Sequence, residues 1–208
     1  SGTDYVVAWS NGQQLFTQRV SPDGTKRTAP GVNVAGLTSL DVECLANGQC
    51  FVGWVGAGGA TVSEVDGGVV ATAPFVTGAI ALSNDGVHLC GAWPDDGGFG
   101  YACVDEQHQL VDEAVVPWAD AMVGDLQLSA GRPGVLAWSD GVSLWTTRVG
   151  EVPTLLGQGF APAVATELDG NGARGVVVAT RFDAEVSLRA FMRGVARADD
   201  AGVAVDGG

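Results

Sequence analysis

The stretch "DYVVAWSNGQQLFTQRVSPDGT", Asp4–Thr25, decides the fold. It reads as an apolar run ending at Trp9, a turn, an alternating run, and a closing turn around Asp23-Gly24. Alternation with period two marks a half-buried strand, and Asn-Gly and Asp-Gly mark tight turns. The same word returns down the chain. "CFVGWV" ends at Trp54, "LCGAWP" at Trp93 and "GVLAWS" at Trp138, while "VVVATR" puts Thr180 where the tryptophan should be. These five anchors lie 39 to 45 residues apart. The residue before each is small: Ala8, Gly53, Ala92, Ala137, Ala179. Strand side chains alternate, so anchor and small residue face opposite ways. One face is bulky, and the other admits a close neighbour.

A second strand follows each anchor: "LFTQRV", "ATVSEV", "YACVD", "LWTTRV", "VSLRAFM". Phe16, Tyr101 and Trp145 are expected at equivalent places in it. A third, looser strand and a fourth ("LDVECLANG", "AIALSNDG", "DLQLSAG", "PAVATELDG") complete the unit. Four short strands in about 42 residues is the size of one β-propeller blade. The prediction is an all-β chain forming a single domain over 1–208, a five-bladed β-propeller with four-stranded blades. The first copy begins at its second strand. "GVAVDGG", Gly202–Gly208, resembles the inner strands of the other copies and is expected to complete the first blade and close the ring. The alternative makes Val195–Val205 one long outer strand and leaves the ring open.

Composition agrees. There are 32 glycines, apolar residues make up 46% and charged residues 16%, which suits short strands and tight turns and excludes a disordered chain. The net charge of −14 repels phosphate backbones, so nucleic acid is excluded as a partner. No apolar run reaches the roughly 20 residues needed to span a bilayer as a helix. Cys44 and Cys50 lie symmetrically about Asn47, and Cys90 and Cys103 about Asp96-Gly97. Each pair is therefore expected to face across adjacent strands as a disulfide, Cys44–Cys50 and Cys90–Cys103, in an oxidising compartment. The alternative is four reduced, buried thiols.

At "VVAWS…LFTQRVSPDGT" and "PAVATELDG" the chain resembles a repeat common in secreted bacterial propellers, roughly "PAVAxDGxxYLVVWxD…IxGxRVxxDGTxLD". The resemblance implies a secreted or surface-exposed protein. Five-bladed propellers of other lineages include tachylectin-like lectins and glycosidases of the arabinanase type.

The anchor tryptophans are read as core. Trp118, in "PWADAM", joins blade three to blade four, and Phe160 stands at the same place one blade later. With Asp96, Phe99, Asp140, Phe182 and Asp183 they are expected on one face of the ring. Exposed aromatics beside carboxylates suit a carbohydrate or protein ligand. The expected function is therefore non-enzymatic recognition by a monomeric ring, extracellular or on the cell surface. A structural scaffold within a larger surface protein is one alternative. A glycosidase is the other, with Asp41, Glu43, Asp125 and Glu167 on or near inner strands as its candidate acids. No cofactor and no metal site is expected. "LDGNG", "PDDGG" and "SNDG" are the turns where calcium would bind, but none has the full calcium-loop spacing. Arg19 and Arg148 recur at one repeat position, which predicts pairing with a neighbouring carboxylate.

Overall fold

The computed structural model describes residues 4–28, 31–74, 76–118, 125–158, 160–169, 172–182 and 185–187. Within them every regular element is a strand. The first sheet holds β1 (Tyr5–Ser10), β2 (Gln14–Val20), β3 (Lys26–Thr28) and β4 (Val32–Asn33), with β3 and β4 both pairing with β2. The second runs β5 (Ser39–Cys44), β6 (Cys50–Gly56), β7 (Gly59–Glu64), β8 (Val69–Ala73). The third runs β9 (Ala81–Asn84), β10 (Leu89–Asp95), β11 (Gly98–Val104), β12 (Leu110–Pro117). The fourth runs β13 (Asp125–Leu128), β14 (Val135–Ser139), β15 (Ser143–Arg148), β16 (Thr154–Gln158). A fifth shows β17 (Phe160–Asp169), β18 (Gly172–Phe182) and β19 (Glu185–Ser187) among the described residues. Every pairing is antiparallel. The predicted closing strand, 202–208, lies outside the described residues.

Turn chemistry sets the strand boundaries. After Trp9 and after Trp138 the same device appears. Asn11 Oδ1 accepts the amides of Gln13 and Gln14, and Asp140 Oδ1 accepts those of Val142 and Ser143. The hydroxyls of Ser10 and Ser139 accept the amides of Gly12 and Gly141. Both glycines sit at positive φ, +90° and +94°, which a side chain would strain.

The core is not one mass but a series of layers between successive sheets. Trp54 packs with Leu15 of the first sheet and with Val34, just past its last strand. Trp93 packs on the cluster holding Phe51 and Val55 of the second. Trp138, fully buried, meets Phe99 of the third with ring centroids 4.7 Å apart. These three anchors thus face the preceding sheet, and burying such a ring contributes roughly 2–3 kcal/mol. The small residue before it faces the following sheet. A Cβ on Gly53 would stand 3.1 Å from Ile80 and Leu82 side-chain carbons. Both predicted disulfides are present, Cys44–Cys50 between β5 and β6 and Cys90–Cys103 between β10 and β11.

Tyr101 departs from expectation. Phe16 and Trp145 do lie opposite their anchors, but Gly100 lies opposite Trp93. The Trp93 indole fills the space that a Gly100 side chain would occupy. Tyr101 falls one residue later, opposite Ala92, and its buried ring joins the layer against the fourth sheet.

The inner strands β5 and β9 lie in different sheets and do not pair, and side chains link them. Ser39 Oγ accepts the Ile80 amide, Asp41 Oδ2 the Leu82 amide at 2.7 Å, and Glu43 Oε1 the Asn84 side-chain amide at 2.7 Å. One face of β5 thereby grips β9 rung by rung. Arg19 makes a similar link outside, to Asp66 of the next sheet, as the repeat predicted. Arg148 makes no ion pair among the described residues.

Candidate functional site

Three connections meet at one end of the third and fourth sheets: the β10–β11 turn, the chain leaving β12, and the β14–β15 turn. The backbone amide of Trp118 donates to Gly97 O at 2.9 Å, which fixes the chain as it leaves β12 over the β10–β11 turn. Its ring stands edge-on to Trp138 (5.0 Å, 78°) and to Trp145 (4.6 Å, 64°). Trp145 Nε1 donates to Asp140 Oδ2 at 3.2 Å. Asp140 therefore caps its own turn with one oxygen and orients an indole with the other. Burial works against its charge, but the amides of Ser143 and Val142 and the Trp145 indole outweigh it and hold the carboxyl below its usual range. The Nε1 groups of Trp118 and Trp138 are buried and have no hydrogen-bond partner among the described residues.

At the same end of the sheets, where Asp125 pairs opposite Ser139, the starts of the inner strands frame a recess of about 290 Å³, lined by Thr38, Ser39, Asp41, Gly78, Asp125 and Gln127 among others. Burial pushes the Asp41 and Glu43 carboxyls above their usual range, although backbone amides pull the other way. Both carboxylates are engaged in holding β9.

The predicted site residues separate into groups. Trp118 is half-buried rather than a free platform, and it stands with Asp140. Asp96 is exposed in the adjoining turn, its amide bonded to Asp95. Phe99 is not on the surface. It is fully buried against Trp138, because in β11 it points into the layer between the third and fourth sheets. Phe160 opens β17 and pairs opposite Arg181, and Phe182 closes β18 opposite Glu185. Asp183 lies outside the described residues. Trp145 was missed as a member of this cluster; its place opposite an anchor, seven residues on, was the available signal.

Among the described residues no group of three or more His, Cys, Asp or Glu side chains could hold a metal ion. In "SNDG" the Asp85 carboxylate is taken by the amides of Val87 and His88 and by the His88 ring. No helix among them is long and apolar enough to cross a membrane.

No protein-family model and no curated protein matches the sequence. Solved structures do match in shape. TolB from Acinetobacter baumannii superimposes with a TM-score of 0.53 at 13% identity, covering 92% of this chain and 51% of that one. A protein of unknown function from Bacteroides caccae gives 0.51 at 11% identity, covering 86% and 66%. The chain thus spans from half to just under two thirds of the length of these structures. The fold is all-β and propeller-like, built from successive four-stranded antiparallel sheets.

Proposed function

We propose that this chain is a non-enzymatic recognition module of a secreted or cell-surface protein, built on a five-bladed propeller, that binds a carbohydrate or protein ligand at the end carrying Trp118. The observation that carries this reading is the Trp118–Trp145 pair, held by Asp140 at the end of the sheets that also carries a polar recess. Indoles with one side open to solvent offer a large apolar surface at little entropic cost, and nearby carboxylates and hydroxyls supply direction. Asp96 forms the exposed rim, and Phe160, Phe182 and Asp183 are assigned to the same site. The two disulfides support an oxidising compartment.

One observation favours the scaffold alternative: Phe99 is wholly buried and Trp118 partly so, which leaves less aromatic surface free. Glycan arrays and partner screens with the wild type, Trp118→Ala and Asp96→Ala separate the two. The recognition reading expects saturable binding that falls at least about tenfold in Trp118→Ala. Thermal melts run alongside separate lost binding from lost folding. A well-folded wild type that binds no glycan and no protein would instead make the chain a scaffold. Hydrolysis of an arrayed polysaccharide would revive the glycosidase alternative.

A further inference from the structure

The two disulfides differ in what surrounds their sulfurs. Cys90 and Cys103 are both enclosed, and the neutral Tyr101 hydroxyl stands against them, 2.9 Å from Cys103 Sγ and 3.5 Å from Cys90 Sγ. Cys44–Cys50 is lopsided. Cys50 is 2% exposed and lies in the apolar layer between the first and second sheets, whereas Cys44, at the end of β5, is half-buried. A cation stands on the enclosed sulfur. Arg19 reaches across from β2 and directs Nη1 at Cys50 Sγ, 3.6 Å away. Further bonds fix the guanidinium there: Nε pairs with Asp66, and Nη1 and Nη2 donate to Gly48 O at 3.4 Å. The Arg19 side chain is 17% exposed, so solvent screens its charge only in part, and the group stays protonated at any working pH.

We propose that Cys44–Cys50 is a thiol-exchange site of fixed polarity, in which an incoming thiolate attacks Cys44 Sγ and Cys50 leaves as a thiolate held by Arg19. A bond forms between the incoming sulfur and Cys44 as the Cys44–Cys50 bond breaks, and the electron pair of the broken bond goes to Cys50 Sγ. One thiolate and one disulfide are consumed and one of each is formed, so no further oxidant or reductant is needed. Exchange is fastest at the sulfur that can be reached, with departure of the sulfur whose thiolate is the more stable. Both criteria select the same assignment here: Cys44 is the accessible sulfur, and Cys50 has the guanidinium. A neighbouring cation stabilises a thiolate, whereas apolar enclosure alone, as around Cys90 and Cys103, destabilises one. The co-reactant is a thiol that is partly ionised near neutral pH, carried by a small molecule or by a cysteine of a partner protein. The proposal is independent of what Trp118 binds.

The test is to expose the folded chain to a thiol, quench with excess alkylating agent and map the cysteines. Two thiols are run separately: glutathione, and a thioredoxin whose second active-site cysteine is replaced by serine. The expected product carries the incoming thiol on Cys44 and the alkyl label on Cys50. Reaction with either thiol supports the proposal and tells which source the site admits. The incoming thiol recovered on Cys50 overturns it, and so does a Cys44–Cys50 bond that outlasts both thiols in the folded protein. Arg19→Gln is expected to slow the exchange about tenfold, while Arg19→Lys, which keeps the charge, retains most of the rate. A purely structural role for Arg19 gives the opposite sign, because loosening the contact between the sheets exposes the sulfurs and speeds attack. An unchanged or faster rate in Arg19→Gln therefore overturns the assignment of Arg19. Cys90–Cys103, mapped in the same samples, should stay intact. If Arg19→Gln does not fold, the wild-type map decides alone.

Discussion

At the scale of single residues, two carboxylates pull stability in opposite directions with pH. Burial holds Asp41 above its usual range, so its ionised form costs stability in the folded state. That cost is complete above the folded value and vanishes below the unfolded one, about 3.9. Asp41→Asn keeps an acceptor for the Leu82 amide and removes the charge. Its stability relative to the wild type should be highest near neutral pH and should decline as the pH drops towards about 4. Urea melts at both ends of that range measure this, and a constant difference would mean Asp41 is not the titrating group. Asp140 has the other sign. Its carboxyl is held low by the Ser143 and Val142 amides and the Trp145 indole against a burial effect, so its contribution is present above the unfolded value and lost as pH falls through the folded one. Asp140→Ala should cost about 1 kcal/mol at neutral pH and less in acid. It should also alter Trp145 fluorescence, because the indole loses its acceptor.

At the scale of strands, much of the chain was legible. Anchors, turns and both disulfides follow from apolar alternation punctuated by Gly, Asp and Asn. Misreadings came where the phase of a short strand slipped by one. In a strand one residue is the difference between two faces, which is how Tyr101 came to be expected opposite Trp93, whereas Phe99, read with the turns, lies inside β11 and points into the core. Gly100 was the clue: a glycine inside a strand marks a close approach, here by the Trp93 indole. Trp118 was harder, since nothing in "PWADAM" tells that its ring turns back onto Trp138 and Trp145. The disulfides differ in burial. Cys90 and Cys103 are both fully enclosed, whereas Cys44 is only half-buried. Under native conditions dithiothreitol should reduce Cys44–Cys50 first, and Cys90–Cys103 only with unfolding. Timed alkylation and peptide mapping would reveal the order. Replacing Cys90 and Cys103 by alanine should cost about 3 kcal/mol for a loop of that length.

At the scale of the molecule, stability resides between sheets. Each apolar layer joins one sheet to the next in sequence, and the β5–β9 side-chain ladder adds a polar seam to one of them. Gly53 faces that seam, where the Ile80 and Leu82 side chains approach closely. Gly53→Val would drive a branched side chain into Ile80 and Leu82 and should cost about 2–3 kcal/mol, lowering the melting temperature, while Gly48→Ala in an exposed turn would strain only its own positive φ. Equal losses from the two would mean that the layer between the second and third sheets yields easily. The candidate site was legible at this scale as a place and not as a surface. Loop position put Trp118, Asp96 and Asp140 at one end of the sheets, but how much of each ring stays open depends on packing across two repeats.

The meander of the second, third and fourth sheets has a consequence for how the chain acquires its shape. Strands pair with partners a few residues away through tight turns, so most hydrogen bonds form at little loop-closure entropy for an all-β protein. A sheet can take shape as soon as its repeat leaves the ribosome and then dock on the one made before it. Folding should therefore proceed as an ordered accretion from Tyr5 onwards, with each new layer sealing the tryptophan that ends its own first hairpin.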